Sequence, residues 1–295
     1  MDEIYILEDE KIPFLLQHIP QKPKKLYIKG TLPKEGTKLL CIVGARKHSS
    51  YGAEACKKLV AGLKGHNICI VSGLAVGIDG IAHKSALEAS LQTIAFPGSG
   101  LDPKVLYPSS HKKLANEIVY AGGALISEFN MDQEGAHWTF PQRNRLMAGI
   151  SHATIVIEAK PKSGTLITSR LALDYNRDVG AVPGPILSAL SEGPNDLIDN
   201  GAMMIKNSND ILELLGLKTK ESPAIQQGLL LGRMGPEKII LECLSIEPHT
   251  PEQLLQKMSL TAQELNMVIS SLEIEGVIES VGNLIKITQE TNSVV

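Results

Sequence analysis

Residues 39–90 read LLCIVGARKHSSYGAEACKKLVAGLKGHNICIVSGLAVGIDGIAHKSALEAS, and their punctuation decides the fold. A first apolar run, Leu39–Val43, stops at Gly44-Ala45-Arg46 and leads into a helical stretch, YGAEACKKLVAGLKG. A second, ICIV, stops at Ser72-Gly73-Leu74-Ala75-Val76-Gly77 and leads into IAHKSALEAS. Apolar runs of about four to six residues without alternation are strands buried on both faces. Strand, Gly-rich turn and helix in repetition require parallel strands with helices on both sides.

The pattern continues downstream through QTIAFPGSGLD with SSHKKLANEIVYAG, ALISE, ATIVIEAKPKSGT with LITSRLALDYNR, and DVGAVPGP. The expected fold is therefore α/β, a Rossmann-like doubly wound, mostly parallel sheet over residues 38–217. Upstream, residues 1–37 carry four prolines and a Lys run and read as a short arm. Downstream, 218–232 reads as a linker. Residues 233–288 read as helix, helix, helix and a hairpin turning at Gly282-Asn283, a small C-terminal winged-helix domain. Thr261 with Glu264 forms a capping-box signature at its third helix. Residues 289–295 read as a tail.

Composition narrows the class. The 295 residues are 43% hydrophobic and 21% charged, enough for a sizeable core. Net charge is −3, so any nucleic-acid site must be a local basic patch on a mildly acidic body. Cys41, Cys56, Cys69 and Cys243 show no C-x-x-C spacing and read as reduced thiols. The N-terminus, MDEIYILEDEK, lacks an apolar signal core, and no apolar run approaches membrane-spanning length. A cytoplasmic protein without membrane association is expected, with no cofactor and no metal.

In an open parallel sheet, ligands bind outside the carboxyl ends of the strands. The turns at Gly44 to Arg46, Ser72 to Gly77, Pro97 to Gly100 and Ser163-Gly164-Thr165 should gather on that edge. Glycine lets backbone amides approach an anion, and helix N-termini add positive dipole. Together these turns look like a phosphate-binding rim. The segment Trp138-Thr139-Phe140-Pro141-Gln142-Arg143-Asn144-Arg145 is the sharpest. Pro141 suits a first helical position, which puts Arg143 and Arg145 in the first turn, where cations oppose the dipole unless an anion binds. Trp138 and Phe140 offer faces on which bases can stack. Arg46 can clamp a phosphate with its fork, and Lys160 and Lys162 flank the same rim.

An enzyme would have to use Asp79, His83, Glu128, His137 or Glu158. Asp79 reads first as a helix N-cap, and His83 four residues on makes at most a two-member metal site. Glu158 ends a buried strand and can hold Arg143 or Arg145. No nucleophile–base–acid logic and no metal cluster is visible. In the winged helix, eight glutamates face four bases, and the candidate recognition helix TAQELNMVISSLEIEG has no Lys or Arg. Duplex binding needs phosphate neutralisation, so this module reads as a protein-contact element.

Taken in order, VGAR…YG, SGLAVGIDGIAH, PGSGLD…YP, WTFPQRNRLMAGIS, VIEAKPKSGTLIT and AVPGP…SEGPNDLIDNGA resemble the DNA processing protein A (DprA/Smf) family from about Pro23 to Ala202. The resemblance implies a homodimer that binds single-stranded DNA through the Rossmann-like domain, protects it, and loads the RecA recombinase, notably in natural transformation. It implies no catalysis. It places Arg46, Ser72 to Gly77 and Arg143 to Arg145 at the DNA. Three features depart from the family pattern. A full N-terminal SAM-like domain does not fit in 37 residues, Ala45 stands where Ser is usual, and Gly180 stands where Phe is usual.

The expected site is thus Gly44, Arg46, Ser72, Gly73, Gly77, Trp138, Phe140, Arg143, Asn144, Arg145, Lys160, Ser163, Gly164 and Thr165. The rival expectation is a Rossmann-like nucleotide hydrolase. Its PGGxGT-type turn is matched poorly by Pro97-Gly98-Ser99-Gly100. A dinucleotide oxidoreductase would need G-x-G-x-x-G after the first strand, which is missing.

Overall fold

A computed structural model describes residues 4–217, 233, 235–246, 248–258 and 260–288. The linker expected over 218–232 and the tail over 289–295 lie outside the described residues. The chain divides into two compact units, Met1–Thr219 and Lys220–Val295.

The first unit is built on a nine-stranded sheet. Its strands are β1 Ile4–Glu8, β2 Lys25–Gly30, β3 Lys38–Val43, β4 Ile68–Ser72, β5 Gln92–Ala95, β6 Ala124–Ser127, β7 Ala153–Val156, β8 Asp178–Ala181 and β9 Met203–Met204. Their spatial order is β1-β2-β6-β5-β4-β3-β7-β8-β9. Every pair from β6 to β9 is parallel, whereas β1 and β2 join antiparallel. From β3 the chain steps outward through β4, β5 and β6, then returns to the other side of β3 at β7. The direction of winding therefore reverses between β3 and β7, the place where such sheets bind ligands.

The helices of this unit are α1 Phe14–Gln17, α2 Ser50–Ala61, α3 Ile78–Glu88, α4 Lys112–Tyr120, α5 Thr139–Ile150, α6 Gly164–Asp174, α7 Glu192–Asp199 and α8 Ser208–Leu214. Successive β3 residues point to opposite faces. Leu40 and Ile42 pack with Cys56 and Val60 of α2, Ala82 of α3 and Ile211 of α8. Cys41 and Val43 pack with Leu16 of α1 and with Leu146 and Ile150 of α5. Each such Leu, Ile or Val contributes about 1.5–3 kcal/mol when fully buried. The unbroken apolar runs are explained by this double burial.

The segment read as an arm supplies β1, α1 and β2 to the body of the sheet. Lys25, Tyr27 and Lys29 alternate with the fully buried Leu26 and Ile28. That period of two is the mark of a strand, and the surrounding prolines and lysines obscured it.

The second unit packs α9 Pro236–Ile246, α10 Pro251–Gln256 and α11 Ala262–Ile274 against the hairpin β10 Ile278–Val281 and β11 Leu284–Ile287. Thr261 caps α11 with Glu264 closing the box. Gly282, at φ 65°, makes the hairpin turn with Asn283. This is a winged helix with its own core of Ile240, Leu254, Leu265, Leu272 and Ile285.

Candidate functional site

The turn after β3 is shaped by three close approaches. A Cβ on Gly44 would stand 2.6 Å from Ile78 Cγ1, so glycine alone fits there. Gly77, at φ 89°, leaves room for the Ala45 carbonyl and the Arg46 Cα. Ile78 N–H then donates to the Ala45 carbonyl at 3.3 Å. Supported from below, Arg46 projects outward, its guanidinium 5.2 Å from the centre of the Phe140 ring. Thr165 Oγ1 donates to the Gly44 carbonyl at 3.2 Å, which ties the start of α6 to the same turn.

A cavity of about 510 Å³ opens here, at the switch between β3 and β7. Gly44, Arg46 and Phe140 form one side. Lys160, Ser163, Gly164 and Thr165 form the other, and Arg143 and Asn144 lie along the wall. Arg46, Lys47 and Lys160 are exposed at the mouth. Deeper, Ser163 Oγ and Thr168 Oγ1 are buried without a hydrogen-bond partner. The first turn of α6 carries no acidic residue, and its leading amides have no intrahelical acceptor. Cations outside, hydroxyls and a helix N-terminus inside, together suit an anion.

Several expected contacts go elsewhere. Helix α5 begins at Thr139, so Arg143 lies in its second turn and the expected first-turn placement fails. Arg143 is buried, and its Nη1 donates to the carbonyls of Gly73 and Phe96. Its Nε donates to Asn144 Oδ1 at 3.1 Å. The guanidinium thus joins the turns after β4 and β5, while Arg143 also lines the cavity. Burial lowers its pKa, and Asp79 opposes that shift. Asp79 lies inside the first turn of α3, whose N-cap is Gly77, so Asp79 is not the cap. Its carboxylate accepts from Gly73 N–H at 3.1 Å. Burial raises its pKa, and Arg143 pulls it back.

Arg145, two residues on, faces away from the cavity. It pairs with Glu128 and donates to the Gln21 carbonyl at 2.5 Å. Ser72 is buried and donates to the Ile42 carbonyl at 2.7 Å. A Cβ on Gly73 would meet Arg143 Nη1 at 2.0 Å, so Gly73 serves packing. Gly77 serves the Arg46 turn. Trp138 does not line the cavity; its ring stands edge-on to Phe129 at 5.6 Å. Glu158 holds neither arginine. It accepts from Ser49 N–H at 2.9 Å and from Ser49 Oγ, which puts a carboxylate at the N-terminus of α2. His83 is buried against Thr93 Oγ1 at 2.7 Å, and desolvation pushes its pKa down to about 3.

Lys47, His137 and Thr168 also line the cavity and were not expected there. Thr168 was legible, since it falls one helical turn after Gly164. His137 depends on a loop path that no local pattern fixes. Among the described residues, no three His, Cys, Asp or Glu side chains group to hold a metal.

A family model for DNA recombination-mediator protein A matches residues 3–216. The chain belongs to this family. A model for the DprA winged helix domain matches residues 230–283. The Escherichia coli protein Smf is 42% identical over 193 residues, 65% of this chain and 51% of that protein. The chain thus matches about half of that relative's length. The DNA processing protein DprA of Streptococcus pneumoniae is 40% identical over 206 residues, 69% of this chain and 71% of that protein. The X-ray structure of the pneumococcal DprA superposes with TM-score 0.67 at 38% identity, over 72% of this chain and 74% of that one. The Helicobacter pylori DprA, solved for its single-stranded DNA binding mode, gives TM-score 0.65 at 30% identity, over 72% and 96%. Within this DprA fold the glycine at position 180 has a packing reason. A Cβ there would lie 2.7 Å from Ile205 Cγ1, so Ile205 and Leu214 occupy the space of a larger side chain.

Proposed function

We propose that the cavity at the β3/β7 switch binds the backbone of single-stranded DNA, and that the chain acts as a recombination mediator without catalysing a reaction. The observation that carries this is the grouping of Arg46, Lys47 and Lys160 with Ser163, Gly164 and Thr165, at the N-terminus of α6, in the lining of one cavity. Arg46 takes a phosphate at the mouth. Lys160 neutralises its neighbour, and the amides of Gly164 and Thr165 receive the most deeply placed oxygen. The Helicobacter relative's single-strand binding supports the ligand class.

The family's description as a recombination mediator supports the mediator role, and handing the strand to the RecA recombinase is part of the same proposal. A homodimer in the cytoplasm, and a place in natural transformation, belong to the same proposal. RecA assembly on a strand already coated with a single-strand-binding protein tests the loading step, and light scattering in solution tests the dimer. The rival hydrolase is less well served. The cavity's carboxylate, Asp79, accepts from a backbone amide and lies in the field of Arg143.

The site itself is tested by reversal of charge. Arg46→Glu and Lys160→Glu should each weaken single-strand affinity regardless of sequence and lower the salt slope by about one. Both side chains are exposed, so the fold should be unaffected. Unchanged affinity in both variants would remove the cavity from the mechanism.

A further inference from the structure

The phosphate site leaves open where the bases of a bound strand rest. The Phe140 ring carries the Arg46 guanidinium on one face and Tyr107 tilted at 5.4 Å. Trp138 lies outside the cavity and against Phe129. Phe140 is half-buried, with Gly98 packed close against its ring, and Trp138, though 52% exposed, is not among the residues that line the cavity.

The loop after β8 offers a further apolar surface. β8 runs parallel to β7, so this loop leaves the sheet on the edge that holds the cavity. Residues 183–190 read PGPILSAL and contain no charge. Ser188 N–H donates to the Pro185 carbonyl at 3.0 Å, a tight turn with Ile186 and Leu187 at its two central positions. These two side chains are 89% and 96% exposed. Turn centres ordinarily carry Gly, Asn, Asp or Ser, and nothing in the fold accounts for two large aliphatic residues there.

The tip is also held in place. Asn195 exchanges hydrogen bonds with the Gly184 backbone at 3.1 Å in both directions, and Tyr51 Oη donates to the Pro183 carbonyl at 2.6 Å. At the far end, Ala159 N–H donates to the carbonyl of Leu190, a residue that lines the cavity. Proline at 183 and 185 stiffens the approach.

Resting on the single-strand assignment above, we propose that Ile186 and Leu187 form an apolar lip that receives the nucleobases of a strand whose phosphates lie in the cavity. A strand held by its backbone turns its bases away from the cations, and an uncharged, preset tip on the same edge meets them without regard to sequence. The lip contributes contact with bases and none with phosphate.

The test compares the full chain with Ile186→Ser/Leu187→Ser on two labelled probes of equal length, oligothymidine and an abasic strand. The double variant should lose roughly tenfold in affinity for oligothymidine, in keeping with the burial of two aliphatic side chains. Its affinity for the abasic strand, and its salt slope on both, should match the unaltered chain. Equal loss on both probes, or no loss on oligothymidine, overturns the lip while leaving the cavity standing. An unaltered chain that binds neither probe overturns the single-strand assignment and the lip with it.

Discussion

At the scale of single residues, Arg46 and Arg143, which the sequence set in one site, have different work. Arg46 is exposed and available, whereas Arg143 is a structural cation that joins two turns and lies beside a buried carboxylate. Arg143→Ala should therefore act on stability first. It removes three buried hydrogen bonds that tie the turns after β4 and β5 to α5, a loss of about 2–4 kcal/mol, read as a shift in the urea midpoint. A variant as stable as the parent would show that the guanidinium is dispensable to the fold. His83 makes a second prediction, in pH. Its folded pKa is depressed from 6.5 to about 3 by desolvation, with His111 and Arg143 acting in the same direction. Above pH 6.5 neither folded nor unfolded chain holds the proton, and His83 leaves stability unchanged. Below 6.5 and down to about 3 the unfolded chain binds a proton that the folded chain refuses. Stability from this group then falls by about 1.4 kcal/mol per pH unit. Urea midpoints measured above and below pH 6.5 should diverge less for His83→Gln than for the parent. An equal acid loss in both would assign it to other groups.

At the scale of elements, the site depends on turns more than on helices. Gly77 holds a backbone conformation that L side chains rarely adopt, and a Cβ there would lie 2.4 Å from the Ala45 carbonyl. Gly77→Ala should cost about 1–3 kcal/mol of stability and weaken single-strand binding by displacing Arg46. Thermal unfolding alongside a binding titration checks both, and a stable variant with full affinity would contradict the role given to the turn. The elements were largely legible in the sequence, because unbroken apolar runs such as ICIV report burial on both faces and capping residues such as Thr261 report helix starts. The edge at β1 and β2 was less so, since its alternation is short and set among prolines. The site was legible where a residue sits in a turn at a strand's end, as with Gly44, Arg46 and Ser163 to Thr165. Along α5 it was legible in part, since Phe140, Arg143 and Asn144 line the cavity and Arg145 does not. The direction of Arg143 and Arg145 depends on where that helix begins, and Thr139 starts it a half-turn before the proline that suggested the boundary. The fate of Glu158 was equally hidden, because its partner Ser49 lies more than a hundred residues away in sequence.

At the scale of the whole molecule, a net charge of −3 sets the terms of binding. Under the proposal, attraction to DNA comes from a local group of cations, Arg46, Lys47 and Lys160, and not from the net charge. In the winged helix, Arg233 is paired with Glu237 and Glu275, and Lys286 with Glu279. The candidate recognition helix α11 itself carries no Lys or Arg and is poorly suited to neutralise duplex phosphates. The most direct test is fluorescence anisotropy of a labelled oligothymidine titrated with the full chain at several salt concentrations, beside a matched duplex. Tight single-strand binding whose logarithm falls linearly with log salt, together with much weaker duplex binding, is the predicted result. Absence of single-strand binding at low salt, or equal affinity for strand and duplex, would contradict it.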